Sequence, residues 1–384
     1  RHIFSDVEGD GTEIPVNAIF GDLPLAILKY EARLPKRSSG ILMHISSLPS
    51  SCGIGDLGPE ARRFVRNLHH SGQSWWQVLP LGPTDESQCH SPYSTLSSRA
   101  GNPLFIDLQD LLNVGLLEKN ELRALKRKDA QTLDFAEITR SKYKLLERAF
   151  DRLPAQLLFE FSEFAIKESS WLNDYALFKV LKNKHRNLPW YEWPPVYKHR
   201  NNAALNDFTT EFKQELQKEK WFQYLFFRQW NALRKYARDY GVRFIGDIPF
   251  YVAYDSADVW VNPQYFSLGA DAEMKYVAGV PPDYFNADGQ LWGMPTYNWA
   301  SLKQDGYQWW IDRLSHNCSL FDKLRLDHFR AFSSYWEVPI EETSAKNGKW
   351  SSGPGEDFFE QVSMNLDNMP FIAEDLGDID AKVY

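Results

Sequence analysis

Cysteine is scarce in this chain, because only Cys52, Cys89 and Cys318 occur among 384 residues and none belongs to a Cys-x-x-Cys pattern. An odd, dispersed set argues against a disulfide framework and against a structural zinc site. The sequence therefore predicts reduced thiols and no metal or other cofactor. A cytoplasmic location is expected, with a plastid as the alternative in a eukaryote.

Long apolar runs and an excess of positive charge are missing as well. No stretch approaches the roughly 20 apolar residues that a membrane-spanning helix needs. The formal net charge is −8, which disfavours nucleic acid and anionic membrane surfaces as partners. The chain begins with Arg1 and has no charged-then-apolar leader, so the native N-terminus is expected to lie further upstream. A neutral substrate fits these properties better.

Aromatic residues, by contrast, are abundant, at 15% of the chain with 14 tryptophans. Many of them stand beside Gly, Pro or Asp in apparent loops. The ordinary explanation for any given aromatic residue is that it fills the core. The surplus in loops suggests platforms on which sugar rings stack.

Strand and helix patterns alternate from Gly40 onward, whereas residues 1–36 are expected to be the end of an upstream, β-rich region. A helix is predicted over Pro59–His70, with Pro59 in its first turn and Gly72 at its C-terminal cap. Strands are predicted at residues 40–46, 74–80, 242–249, 323–328 and 370–374. Strand, helix and strand at this spacing form a βαβ unit, which implies parallel pairing.

A helical insertion is predicted at about residues 105–240, with long helices at Ser141–Lys167 and Asp207–Tyr240. The predicted fold class is α/β, a (β/α)8 TIM-type barrel with this large insertion. Residues 37–384 are expected to form an incomplete catalytic barrel with about five of the eight strands. The C-terminal strands are expected to be absent from this chain.

Three of the predicted strands end in carboxylates, namely Asp247, Asp327 and Glu374. In a β/α barrel the C-terminal strand ends surround the active site, so these side chains are expected to meet at one mouth. Arg325 and Asp327 point to the same strand face, because the side-chain period of a strand is two. A cation beside a carboxylate favours its ionised form, although Arg-x-Asp is equally typical of a structural ion pair.

Two carboxyl groups about 5 to 5.5 Å apart are what retaining glycoside chemistry needs. One is ionised and attacks the anomeric carbon, and the other donates a proton to the leaving oxygen. Adjacent barrel strands can supply such a pair. The pattern therefore predicts Asp327 as the nucleophile and Glu374 as the acid and base.

The sequence also resembles a known family over most of its length, from about Lys36 to the end. It is similar to the amylomaltases, the 4-α-glucanotransferases or disproportionating enzymes of glycoside hydrolase family 77. The segments that carry the resemblance are GIGDLG (53–58), SPYS (91–94), GNP (101–103), GDIPFYVAYDSADVW (246–260), GVPPDYF (279–285), GQLWG (289–293), RLDHFR (325–330) and AEDLG (373–377).

The resemblance implies the same roles for Asp327 and Glu374 and adds further substrate contacts. It implies that Arg325, His328 and Asp247 line the subsite of the transferred glucose and that Tyr93 stacks on that sugar. It also places the loop with Asp283, Tyr284 and Phe285 beside the acceptor groove, with Trp292 nearby in sequence. For the three aromatic side chains, stacking on sugar and packing against protein remain equally open.

The function expected from the resemblance is transfer of α-1,4-glucan segments between maltooligosaccharides by a retaining double displacement. An α-glucan hydrolase with the same two acids is one alternative, and a carbohydrate-binding protein with a decayed barrel is another. The family has a third catalytic aspartate on a later strand, which is expected to lie beyond Tyr384. The fragment alone is therefore expected to be inactive.

Overall fold

The structure is a computed structural model that describes residues 37–50, 52–123, 134–284, 286–366, 369–374, 376 and 383. The predicted upstream region at residues 1–36 lies outside the described residues. Ser39–Tyr384 forms one compact unit. In its described part, no helix is both long enough and apolar enough to cross a membrane.

The described residues contain nine strands. They are β1 (Gly40–Leu42), β2 (Trp75–Gln77), β3 (Arg243–Ile248), β4 (Tyr276–Val280), β5 (Gln290–Pro295), β6 (Lys323–Leu326), β7 (Ser334–Pro339), β8 (Lys349–Ser352) and β9 (Phe371–Ala373). The helices in the same residues are α1 (Pro59–His70), α2 (Leu108–Asn113), α3 (Lys119–Arg123), α4 (Phe135–Asp151), α5 (Ala155–Lys167), α6 (Ser169–Lys184), α7 (Pro195–Lys198), α8 (Asn202–Glu211), α9 (Lys213–Asp239), α10 (Ala257–Val261), α11 (Trp299–Gln304), α12 (Gln308–Leu320) and α13 (Gly355–Asn365).

Five parallel strands form the central sheet in the order β1-β2-β3-β6-β9, which is also their order along the chain. Helices connect these neighbours, because a crossover between parallel strands needs a connection of about a dozen residues or more. This arrangement confirms the predicted α/β class with a TIM-type sheet. Each of the five strands lies within the segment predicted for it, although the first ends early at Leu42 and Ile45–Ser47 forms a 3-10 turn.

Helix α1 has the bounds that the sequence predicted. Pro59 occupies the first turn, where its missing N–H costs nothing. The buried face consists of Ala61, Val65 and Leu68, which follow the helical repeat. After the last turn Gly72 has a φ of +68°, a left-handed conformation that glycine adopts without strain. The helix end is thus set by local sequence.

The long helices predicted for the insertion are each broken once in the structure, and this part of the prediction is wrong. Helix α4 ends at Asp151 and α5 begins after Pro154, because proline cannot donate the backbone hydrogen bond of a helix interior. The second break falls at Phe212, between α8 and α9, where ψ is 30°. Neither Gly nor Pro marks that position, so the sequence pattern gave no signal for it.

A second sheet was not predicted. It is antiparallel, has the order β5-β4-β7-β8, and is built from segments that follow β3 and β6. Gly279 of β4 pairs with Leu291 of β5 and with Trp336 of β7. This sheet carries Trp292, which reaches the predicted site.

The loop after β2 is fastened to the long helix α9 by two glutamines. Gln223 exchanges hydrogen bonds with both the N–H and the C=O of Gly101, at 2.8 and 3.0 Å. Gln229 does the same with Asp107, at 2.7 and 3.0 Å. Both glutamines are buried, where such bonds have no competition from water. The loop that contains Tyr93 is thereby anchored at its end.

Candidate active site

The C-terminal ends of β3, β6 and β9 bring the three predicted carboxylates together. Asp247 of β3 pairs in register with Arg325 of β6. The N–H of Asp327 donates to Ile248 O at 3.0 Å, and the N–H of Glu374 donates to Leu326 O at 3.3 Å. The backbone ladder therefore sets the three acids side by side at one edge of the sheet.

Arg325 lies at the centre of these carboxylates. Its Nη1 donates to Asp247 Oδ1 at 2.8 Å, while its Nη2 lies 2.7 Å from Asp327 Oδ1 and 3.5 Å from Glu374 Oε1. Burial opposes the charge on this guanidinium, yet the carboxylates, Asp247 foremost, raise its pKa above the ordinary value. Among the described residues, no group of His, Cys, Asp or Glu is arranged to hold a metal ion.

Asp247 forms the buried floor of the cluster, since only 4% of it is exposed. Burial raises the pKa of its carboxyl group, while hydrogen bonds from Tyr93 and Arg325 counteract that rise. The Tyr93 hydroxyl donates to Asp247 Oδ2 at 2.7 Å. Burial and this bond raise the pKa of Tyr93, so its hydroxyl stays protonated and serves as a fixed donor.

Asp327 and Glu374 are more open than Asp247, with 28% and 17% of their side chains exposed. One Arg325 nitrogen lies beside both, which is compatible with the short carboxyl separation of retaining enzymes, about 5 to 5.5 Å. Glu374 Oε2 also accepts a hydrogen bond from the His328 N–H. The two acids therefore have fixed positions at an accessible edge of the site.

His328 turns the chain directly after Asp327, with a φ of +53°. Its ring is edge-on to Trp292 at a centroid distance of 4.9 Å. Burial lowers the pKa of this histidine to about 4, with a smaller contribution from Arg330. Its Nε2 is buried without a hydrogen-bond partner among the described residues. A neutral imidazole with a free ring nitrogen can bind a sugar hydroxyl.

The low pKa of His328 predicts how stability depends on pH. Between about 6.5 and 4 the unfolded chain binds a proton at this residue that the folded chain does not, so stability falls as the pH falls through that window. Between pH 7 and pH 4 the free energy of unfolding of His328→Gln should fall by about 1 to 3 kcal/mol less than that of the wild type. Thermal melting across this range measures it, with the exposed His70→Gln as control. Equal slopes for wild type and His328→Gln would contradict the prediction.

The predicted acceptor loop follows β4 and is open to solvent. Asp283 Oδ1 accepts from the Asn286 N–H at 2.7 Å, which closes a turn within the loop. Tyr284 is 96% exposed, and Phe285 lies outside the described residues. The structure thus brings Asp247, Arg325, Asp327, His328, Glu374, Tyr93 and Trp292 into one connected group. Asp283 and Tyr284 occupy the neighbouring loop.

Tyr251 is a further site residue that the sequence analysis missed. Its ring lies 6.0 Å from that of Trp292 and 6.3 Å from that of His328. It also lines a small cavity of about 40 Å³ together with Tyr93 and Asp247. The available signal was its position four residues after Asp247, in the loop at a strand's C-terminal end.

Comparison with known proteins identifies relatives of this chain. A family model described as 4-alpha-glucanotransferase matches residues 43–384. The 4-alpha-glucanotransferase of Aquifex aeolicus is 45% identical over 90% of this chain and 70% of its own length. The chloroplastic/amyloplastic 4-alpha-glucanotransferase of Solanum tuberosum is 40% identical over 96% of this chain and 65% of its own length.

A solved structure gives the same result for the fold. The amylomaltase from Streptococcus agalactiae in complex with acarbose matches with a TM-score of 0.87 and 37% identity, over 90% of this chain and 70% of that one. The carboxylates at the strand ends point to the same family as these relatives do. The chain therefore belongs to glycoside hydrolase family 77, the 4-alpha-glucanotransferases, which transfer segments of α-1,4-glucan.

Proposed function

We propose that this chain transfers α-1,4-glucan segments by a retaining double displacement, with Asp327 as the nucleophile and Glu374 as the general acid and base. The observation that carries the proposal is the contact of one Arg325 side chain with three strand-end carboxylates. Substitution of Asp327 and of Glu374 tests the two roles separately.

In the first step Asp327 attacks the anomeric carbon of the donor glucan, and the bond from that carbon to the glycosidic oxygen breaks. Glu374 transfers its proton to this oxygen, which leaves as the 4-hydroxyl group of the shortened chain. The product is a glucosyl ester of Asp327. The ion pair with Arg325 orients the attacking carboxylate before the sugar arrives.

In the second step the carboxylate of Glu374 removes the proton from the 4-hydroxyl of an acceptor glucan. The resulting oxygen attacks the anomeric carbon, the ester bond breaks, and Asp327 regains its charge. Water in place of the acceptor gives hydrolysis by the same chemistry. The balance between transfer and hydrolysis is therefore determined by how well the acceptor side binds sugar.

Asp247, Arg325, Tyr93 and His328 are proposed to hold the transferred glucose. Asp247 and Arg325 form a rigid pair of an acceptor and a donor at the floor of the site, which suits adjacent sugar hydroxyls. His328 offers its free ring nitrogen, and Tyr93 offers a ring face at the mouth. Trp292, whose ring meets that of His328, is proposed to border the acceptor side.

The proposed substrates are maltooligosaccharides and longer α-1,4-glucans. The similar amylomaltase from Streptococcus agalactiae is described in complex with acarbose, and we propose the same ligand for this site. A cytoplasmic location, or a plastid one, is proposed for the chain. Relatives from Solanum tuberosum and Arabidopsis thaliana are described as chloroplastic/amyloplastic.

Tyr284→Ala should shift the reaction from transfer toward hydrolysis. Tyr284 is almost fully exposed on the acceptor loop, so its removal leaves the core intact while it removes a stacking face. We expect the ratio of transfer to hydrolysis on maltotriose to fall about three- to tenfold, the effect of losing roughly 1 kcal/mol of stacking. Product chromatography measures the ratio, and Tyr284→Phe, which retains the ring, is the matched control. An unchanged ratio in Tyr284→Ala would remove this residue from the acceptor site.

A further inference from the structure

Arg313 of α12 carries its positive charge inside the protein, where only 1% of the residue is exposed. The oxygens that accept from its guanidinium among the described residues are two backbone carbonyls and a tyrosine hydroxyl, and none belongs to a carboxylate. The rings of Trp309 and Trp310 lie 5.6 and 4.7 Å from the guanidinium carbon. Burial of an unpaired charge is costly, so an apolar side chain would fill this space more easily. The arginine therefore calls for an explanation beyond core packing.

The guanidinium of Arg313 holds the backbone that follows β3. Its Nη2 donates to Pro249 O at 2.6 Å, and its Nη1 donates to Phe250 O at 3.1 Å. These carbonyls are successive, and the planar fork of an arginine presents two donors to them at once, which the single ammonium group of a lysine does not. The two carbonyls lie two and three residues after Asp247. Arg313 thus acts on the segment that leads away from the floor of the active site.

Strand pairing stops at the point where Arg313 binds the backbone. Ile248 is the last residue of β3, and its carbonyl accepts from the Asp327 N–H at 3.0 Å. Pro249 has no N–H to continue the ladder. In the part of the chain that the structure describes, neither Pro249 nor Phe250 makes a backbone–backbone hydrogen bond. Three successive carbonyls are therefore held in turn, the first by the backbone of Asp327 and the next two by Arg313.

A buried tyrosine reinforces this contact. The Tyr297 hydroxyl donates to Phe250 O at 2.7 Å and lies 3.3 Å from Arg313 Nη1. We call Arg313, the two carbonyls and this hydroxyl the Arg313 clamp. The ring of Phe250 lies edge-on to that of Tyr251 at 4.8 Å, and the Tyr251 ring lies 6.3 Å from that of His328. The clamp therefore fixes a segment that packs against a proposed sugar-binding residue.

Without the clamp, the end of β3 has space into which it can move. Arg313 lines the same cavity of about 40 Å³ as Asp247 and Tyr93. Asp247 in turn accepts from Arg325 at 2.8 Å, and Arg325 lies 2.7 Å from Asp327. A shift of Asp247 would therefore pass through Arg325 to the acids at the mouth. Misplacement by about 1 Å can lower a catalysed rate about a hundredfold.

We propose that Arg313 is a positioning residue of this enzyme, whose guanidinium fixes the end of β3 and thereby the places of Asp247 and of the Asp327 backbone. Its burial keeps it from the substrate, so it acts through these residues. The inference rests on the proposed role of Asp247 in holding the transferred glucose. The clamp should therefore affect how well the site fits the reacting sugar, whereas a purely structural arginine would affect the stability of the fold alone.

The test replaces Arg313 by methionine in a chain that is extended to the length of its relatives. Methionine offers no donor, so kcat on maltotriose should fall about tenfold or more while KM stays within about threefold. Arg313→Lys keeps the charge and one point of contact, and its kcat should lie between those of Arg313→Met and the wild type. The matched control is Leu314→Ala, which removes a fully buried core side chain of the same helix. This control should melt at a lower temperature and keep kcat within about twofold.

Binding of acarbose, measured by titration calorimetry on the same variants, needs no turnover. Arg313→Met should bind this ligand about tenfold more weakly than the wild type does, and Leu314→Ala should bind it like the wild type. The affinity does not depend on whether Asp327 is the nucleophile. A failure of that assignment is therefore distinguishable from a failure of the clamp.

Tyr297→Phe and Arg313→Lys keep the test decisive if Arg313→Met does not fold. Tyr297→Phe keeps the ring and its packing, removes one hydroxyl from the clamp, and should lower kcat about threefold. Wild-type kcat and acarbose affinity in the folded variants would overturn the proposal. Losses in Leu314→Ala as large as those in the clamp variants would also overturn it, because they would assign the effect to stability.

Discussion

In a version of the chain that is extended to the length of its relatives, Asp327→Ala is expected to lower the rate of maltotriose disproportionation by at least about a thousandfold, because no group remains to form the glucosyl ester. Hydrolysis should fall by the same factor, since both reactions pass through that ester. Initial rates of glucose release and of chain lengthening measure the two losses. Activity above about a thousandth of the wild-type rate would show that Asp327 is not the nucleophile.

The structure indicates that this loss will be chemical and not a loss of folding. Asp327 is partly exposed, and Arg325 keeps its hydrogen bond to the buried Asp247 when Asp327 is removed. No buried charge is therefore left without a partner, which is the main way in which such a substitution destabilises a protein. Asp151→Ala on α4 is a matched control. Melting temperatures of both variants should stay near that of wild type.

The sequence predicted that the strand-end carboxylates meet, because strand periodicity is a local property. The alternation of Leu324, Arg325, Leu326 and Asp327 places the leucines in the core and the two charged groups together. What it did not predict is that Arg325 also contacts Asp247 and Glu374. Those contacts depend on the register between strands far apart in the chain, and no local pattern encodes a register.

The acceptor side was less predictable for a related reason. Trp292 lies on β5, which joins an antiparallel sheet whose pairing is irregular between Val277 and Gly279, and its ring contacts that of His328. Short strands with Gly and Pro between them read as loops in a sequence. The resemblance pointed to these residues, whereas periodicity did not. Whether Trp292 stacks on sugar or packs against protein depends on tertiary contacts, and its stacking on sugar stays a prediction.

Glu374→Gln should distinguish the roles of the two acids, because its effect should depend on the leaving group of the donor. The glycosidic oxygen of a glucan needs a proton as it departs, so the variant should lose at least about a hundredfold on maltotriose, at the low end of typical general-acid contributions. The fluoride of α-glucosyl fluoride leaves without a proton. The rate at which Asp327 attacks the anomeric carbon of this donor should therefore be largely unchanged in the variant.

The structure makes glutamine a suitable probe for this purpose. Its side-chain oxygen can still accept the His328 N–H that Glu374 Oε2 accepts, so the turn after Asp327 should keep its conformation. Glutamine cannot act as a base in the second step, and the glucosyl ester should accumulate on Asp327. Mass spectrometry of the digested protein should find one added glucosyl group on the peptide that contains Asp327. Equal losses on both donors, with no trapped ester, would show that Glu374 is not the acid and that the proton comes from another group at this mouth.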